Sequence, residues 1–255
     1  MIGIDFLKSQ ITKSRNDDLT APFLRHLIFQ TVDTVAREHY PDDYSMKCAQ
    51  VSGAIQHLLS HIGIRSTLII GAACFAKVSP TKGFDGWTGF WGNDHHMWIQ
   101  TEFHEIVDLS ISQLHEHPRT VDKEVQIPAF WWDQRPGTAP LFKYLYDIQI
   151  DKIEMDEAPQ ATYMAFLAKV KDKFDDTVAA SMDERIHFVP MLSTLTELNT
   201  LVTEGDSWAS GALSILHNKI LHPYWIRERE KELSEYQAKG QHPPSRLSSQ
   251  THLFR

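Results

Sequence analysis

The chain has 255 residues, 42% hydrophobic and 11% aromatic, with a formal net charge of −8 and a pI near 5.9. That much apolar material excludes global disorder and supplies a sizeable core, enough for one large domain or one domain with an appendage. The acidic balance argues against general nucleic-acid binding, and two cysteines make no disulfide framework.

The opening stretch MIGIDFLKSQITKSRNDD has no apolar run of signal-peptide length and carries Asp5, Lys8, Lys13 and Arg15, so it reads as unprocessed. No apolar run approaches the roughly 20 residues that span a bilayer. The expectation is a cytoplasmic chain with no membrane or nucleic-acid partner. Thr20-Ala21-Pro22 then reads as a helix start, with Thr20 as cap and proline in the first turn. Phe23, Leu24, Leu27, Ile28, Val32, Val35 and Ala36 recur at helical spacing, and this helix should end near Tyr40-Pro41.

PDDYS is a turn, and Ser45 can cap the following helix, which places Cys48 in its first turn. Val51, Ile55, Leu58, Leu59 and Ile62 complete the apolar side, and Gly63 suits a left-handed cap. Residues 64–75 are β-rich and read as a central strand. A glycine and aromatic loop follows, with Gly83, Gly86, Gly89 and Gly92 among Phe84, Trp87, Phe90 and Trp91. Glycines would let backbone approach a substrate and the aromatics would wall a cleft; an irregular sheet edge is the plainer alternative.

His95–Thr101 reads as a strand and Phe103–Leu109 as its hairpin partner, with Thr101-Glu102 at the turn. Residues 111–150 contain Pro118, Pro128, Pro136 and Pro140 and the cluster Phe130-Trp131-Trp132, so they read as a surface-wrapping segment that rejoins the sheet near 141–150. Beyond 151 helical patterns take over. One covers 160–174 with Met164, Leu167, Ala168 and Val170 on one side; others cover 193–202 and 207–231, the last broken at Pro223. HPYWIREREKELSEYQAK is a charged amphipathic helix, either a solvated face or a homodimer contact. The division is therefore 1–150 as a core, 151–239 as a helical region and 240–255 as a flexible tail.

The chemistry concentrates in three residues. Cys48 opens a helix, His96 lies on one strand and Asp108 sits in the apolar run IVDLS of the next. A helix N-terminus favours thiolate, and the N–H of Cys48 would point toward a developing oxyanion. An imidazole carries protons for the thiol, and a carboxylate fixes the imidazole tautomer. Cys48 could equally be a small buried hydrophobe, and Asp108 could cap the turn at Ser110. His95, His96, His104 and Asp108 are zinc-ligand types, but adjacent strand residues face opposite ways and neither HExxH nor CxxC spacing occurs. No metal and no cofactor are expected.

Over residues 20–112 the ordered set resembles the transglutaminase-like branch of the papain-like thiol enzymes. The matching features are Cys48 at a helix start, the step Leu59-Ser60-His61-Ile62-Gly63-Ile64 into a strand, His96-Met97-Trp98, and a strand ending at Asp108. The resemblance implies an α+β fold, a papain-like core with N-terminal helices and an antiparallel sheet followed by a mostly helical region. It also implies Cys48 as nucleophile, His96 as base and Asp108 as orienting acid, acting on a peptide, protein or small amide. The family contains peptidases, amidases, deamidases, acyltransferases and inactive members, so the fold does not choose the reaction. No glutamine precedes Cys48 at papain-like spacing and Ala49 replaces the tryptophan common in the family. Tyr44 or a backbone N–H would therefore serve the oxyanion, with Trp87, Trp91 and Trp98 as cleft residues. The competing classes are a binding module without chemistry and a metal-dependent hydrolase.

Overall fold

A computed structural model describes residues 3–79, 81–91, 95–118, 125–135, 140–179, 189–241 and 243–244. Gly92, Pro136 and, of the expected tail, residues 242 and 245–255 lie outside the described residues. Helix α1 (Gly3–Asp17), not anticipated from the sequence, leads into α2 (Pro22–His39) and α3 (Cys48–His61). Helix α2 starts at its proline, but Thr20 does not cap it: the capping position is Ala21, without a side-chain bond. The Thr20 hydroxyl donates instead to Glu105, which is 0% exposed and also receives Thr101 and the Arg25 guanidinium at 3.1 Å. A buried carboxylate short of donors costs more than an uncapped helix end, so the hydroxyl goes to the acid.

Residues 44–46 form a 3₁₀ turn, so Lys47, not Ser45, precedes α3, and no side chain caps that helix. Its far end closes as the sequence implies. Gly63 takes φ +75°, Ile64 N–H reaches Leu59 O at 2.9 Å, and Gly63 N–H reaches Ser60 O at 3.0 Å. Those two bonds satisfy carbonyls the helix leaves open and turn the chain into the sheet.

The sheet has seven strands among the described residues: β1 (Ser66–Ser79), β2 (Gly83–Phe90), β3 (His96–Thr101), β4 (Glu105–Asp108), β5 (Ala129–Asp133), β6 (Phe142–Ile150) and β7 (Met191–Leu192). Long β1 is its axis. Residues 66–71 pair with β3 and 73–79 with β2, while β6 runs along the other edge. From β3 the sheet continues through β4 and β5 to β7. The β5–β7 pairing is parallel, so the sheet is mixed, not purely antiparallel. A parallel neighbour needs a long crossover, and here the chain makes β6 and a long helix before returning.

The stretch after β1 forms strand β2 and not a loop. The described part of 111–135 is built into the fold rather than wrapped over the surface, while 142–150 rejoin the sheet as expected, as β6. That first part begins with a 3₁₀ segment, and Phe130, Trp131 and Trp132 are buried in β5. Helix α4 (Glu157–Ala179) turns Tyr163, Phe166, Val170, Phe174 and Val178 inward and leaves Met164 exposed. The aromatic residues, with more area to bury, set the inward face one position away from the stripe through Met164. Helices α5 (Leu195–Thr203), α6 (Ser207–Asn218) and α7 (Tyr224–Ala238) follow; Lys219 in the left-handed conformation ends α6 and Pro223 precedes α7. The region 151–239 is thus mostly helical but returns strand β7 to the sheet.

Two apolar layers result. Leu68, Ile70, Met97, Ile99 and Val107 face α2, α3 and α4; Ile69, Phe75, Trp98, Ile106 and Phe130 face α5 and α6. That alternation is the strand period, and it decides where His96 and Asp108 point.

Candidate active site

Strand alternation places His96 beside Trp98 and Asp108 beside Ile106, on the face away from α3. The β3–β4 register pairs Ile99 with Val107 and Gln100 with Ile106. Continued outward, it sets Asp108 across from Trp98, one diagonal step from His96. The hairpin turn lies at 102–104, beginning one residue beyond the expected Thr101-Glu102, with His104 at φ +59°. His95 precedes β3 rather than belonging to it.

His96 Nε2 and Asp108 Oδ2 are 2.6 Å apart, and both side chains are essentially buried. Asp108 receives three further bonds. The Tyr144 hydroxyl donates to Oδ2 at 2.7 Å, the Ser110 hydroxyl to Oδ1 at 2.9 Å, and Ile111 N–H to Oδ1 at 3.2 Å. A carboxylate has about four lone-pair sites, and all are filled. The two alternatives raised for Asp108 are therefore both realised: one oxygen holds the imidazole, the other caps the turn. Burial pushes the Asp108 carboxyl up, but His96, Tyr144 and Ser110 hold it below its usual range.

Burial alone would lower the His96 imidazole. The charge and hydrogen bond of Asp108, then Cys48, push it up to about 10. Cys48 is near enough to add to that rise, while Nδ1 itself is buried and has no hydrogen-bond partner among the described residues. The ring is held by aromatics: Phe90 stacks on it at 4.6 Å and 7°, Trp98 lies 6.3 Å away and the Phe75 edge 6.4 Å away. Gly71, opposite His96 on β1, makes room. A Cβ there would stand 2.1 Å from Leu145 O and 2.9 Å from the Trp98 ring.

Cys48 is half-buried at the first position of α3. The first-turn N–H groups of a helix have no intrahelical partner, and no side chain takes them here. One turn on, the Ser52 hydroxyl donates to Met97 O at 3.0 Å. That bond ties the thiol's helix to the residue next to His96. Cys74, by contrast, is buried in β1, and desolvation pushes its thiol up to about 12.

The other site residues divide. Trp98 belongs to the site. The Tyr44 hydroxyl donates to Asp33 at 2.9 Å, so its one proton is committed elsewhere. Trp87 packs on His222 at 4.7 Å and Trp91 on Trp225 at 4.9 Å, which fastens them to the segment around α7. Lys47, a possible nearby charge, is paired with Asp43 at 2.6 Å. Among the described residues no three His, Cys, Asp or Glu side chains are placed to hold a metal. Sequence reasoning missed Tyr144, Ser52 and Phe75 as site residues; Phe90 was among the aromatics expected to wall a cleft, and it is the one that stacks on His96. Tyr144 and Phe75 come from strands on no local motif, and only Ser52, one turn from Cys48, had a positional signal.

No family model matches the chain, and no curated protein matches it. A solved structure described as the crystal structure of genomics APC5867 is similar over 67% of this chain and 92% of its own, at 13% identity and a TM-score of 0.32. Nothing about function follows from a likeness of that size. No helix among the described residues is long and apolar enough to cross a membrane.

Proposed function

We propose that the chain is a thiol enzyme of the papain-like, transglutaminase-like kind, cleaving or transferring an amide or acyl group through a thioester. The observation that carries this reading is the buried 2.6 Å His96–Asp108 bond on a ring whose charge Cys48 also stabilises from a helix N-terminus. With the proton on His96 Nδ1, the Cys48 sulfur attacks the carbonyl carbon of a peptide, protein or small amide. The first-turn N–H groups of α3 are the donors available to the oxyanion, since Tyr44 is engaged by Asp33. Nδ1–H gives its proton to the leaving nitrogen as the C–N bond breaks. Water or an amine then attacks the thioester, losing a proton to Nδ1 as the sulfur departs. Asp108 stays ionised throughout and keeps the Nε2–H directed at itself.

A second reading, a binding module without chemistry, draws on one observation: Phe90 lies flat on the ring and His96 is 1% exposed. Iodoacetamide labelling separates the two. Fast labelling of Cys48, lost in His96→Ala, supports the enzyme. Slow labelling that ignores His96 overturns it in favour of the module.

A further inference from the structure

Asp108 Oδ2 is shared. His96 Nε2 approaches it at 2.6 Å from β3 and the Tyr144 hydroxyl at 2.7 Å from β6, two strands that flank β1 on opposite edges. The Tyr144 ring is caged by Trp98 at 4.9 Å, Phe75 at 5.4 Å, Phe142 at 5.7 Å and Phe130 at 6.4 Å. Four rings fix the phenol's direction without any help from its hydroxyl, so the hydroxyl's place at the carboxylate is built in by packing. Burial, together with the charge and bond of Asp108, pushes the Tyr144 phenol well above its ordinary value, which keeps its proton on it as a donor.

We propose that Tyr144 is a positioning residue of this site: by donating to the oxygen that holds His96, it weakens the carboxylate's grip on the imidazolium proton so that the ring can release it to a departing amine. This deepens the thiol-enzyme reading and rests on it. The physical need is plain. In a dry pocket an imidazolium paired with a bare carboxylate is held so firmly that it becomes a poor acid. A second donor on the same oxygen withdraws part of that charge. The bookkeeping of the step is simple. Nδ1–H passes to the leaving nitrogen as the C–N bond breaks, and Asp108 and Tyr144 end as they began, anion and phenol.

Among the described residues the titratable and charged groups around the pair are few. Cys48 comes from α3, and His117 touches the edge of Phe90 at 6.1 Å. Lys143, next to Tyr144, is paired with Glu230 of α7. Phe75, Phe130 and Phe142, from β1, β5 and β6, are uncharged. Removing the Tyr144 hydroxyl therefore leaves Asp108 less satisfied and His96 more basic.

The test is an NMR titration of the His96 imidazole nitrogens in the full chain, with His96→Gln for assignment. Tyr144→Phe keeps the aromatic cage and should raise the ring's proton affinity about tenfold, the effect of losing one hydrogen bond to a charged group. Site-specific replacement of Tyr144 by difluorotyrosine, a stronger donor of nearly the same shape, should lower it. Opposite movements in the two variants support the proposal. An unchanged or more acidic ring in Tyr144→Phe overturns it, and if that variant does not fold, an unmoved ring in the difluorotyrosine protein does so instead. Cys48 labelling in wild type and His96→Gln, run on the same samples, reports the thiol–imidazole pairing separately. Its failure would sink the enzyme reading while the titration still answers for Tyr144.

Discussion

Asp108→Asn isolates what the buried carboxylate does. Asparagine keeps the shape, and its oxygen can go on accepting from Ser110 and Ile111, which bind Oδ1. The amide NH₂ then takes the place of Oδ2, facing Nε2 and the Tyr144 hydroxyl. Two donors cannot face each other, so the neutral ring moves its proton to Nδ1 and accepts from the amide at Nε2. In that tautomer the nitrogen beside Cys48 no longer has a lone pair for the thiol proton. The charged form suffers too. Asp108 is the chief group that carries His96 up to about 10, against burial that would pull it below 6.5. Without Asp108 the ring loses the main attraction that offsets its burial, and its proton affinity falls steeply. At neutral pH the ring passes from charged to neutral. Turnover should fall by about 10³–10⁴, the scale seen when an orienting acid is replaced by its amide. Iodoacetamide labelling of Cys48, followed by mass spectrometry across the neutral range with Cys74 as the unreactive reference, reads the same loss without needing a substrate. Labelling at the wild-type rate at every pH, with a folded variant, would refute the argument that Asp108 sets the state of His96.

Cys48→Ala should abolish turnover and leave the circular-dichroism spectrum and melting temperature nearly unchanged, because the side chain is only half-buried. Ser52→Ala removes the hydroxyl that donates to the Met97 carbonyl beneath α3. It should cost about 0.5–1.5 kcal/mol by urea denaturation and slow Cys48 labelling as the helix loosens from β3. Gly71→Ala forces a methyl to 2.1 Å from Leu145 O, so a loss of about 1–3 kcal/mol is expected in the same assay, with the Trp98 fluorescence environment altered. The His96–Asp108 pair also makes stability depend on pH. His96 is more basic folded than unfolded, so its contribution is full below about 6.5 and fades as pH rises toward about 10; Asp108 is more acidic folded, so its contribution is present above about 3.8 and fades below. Melting temperature should therefore be highest from mildly acidic to near-neutral pH, and the alkaline decline should be blunted in His96→Gln.

Much of the site was legible because its parts are local. A cysteine at a helix start, a Schellman glycine at Gly63 and an alternating hairpin each announce themselves within a few residues. The aspartate in IVDLS was conspicuous because a carboxylate amid apolar neighbours needs partners. The rest depended on distant chain. Tyr144 and Phe75 reach the dyad through β1–β6 pairing, whose register includes Ala73 with Tyr144. The segment 84–91 was read as a cleft wall from its composition. Yet Phe90, on a β2 edge bound to β1, stacks on His96, while Trp87 and Trp91 go to the α7 side. Thr20 failed as a cap for the same reason, since Glu105, 85 residues away, claims its hydroxyl. Local propensity sets elements; long-range polar demand decides which side chain serves which end.

The layering explains why the thiol and the dyad meet where they do. Helix α3 packs on one face of the sheet, with Met97, Ile99 and Val107, while His96 and Asp108 point to the other, with Trp98 and Ile106. A cysteine in the middle of α3 would face only the first layer and could never meet the ring. The first residue of the helix lies at its end, beside the start of β3, and there the two layers can exchange a contact. The same position leaves first-turn N–H groups uncapped beside the sulfur. On the proposed thiol-enzyme reading, placing the cysteine at the helix start answers two demands at once, reach to the imidazole and donors for an oxyanion. Ser52, one turn later, bonds the helix to the β3 backbone beside His96 and so ties the thiol's helix to the strand that carries the imidazole.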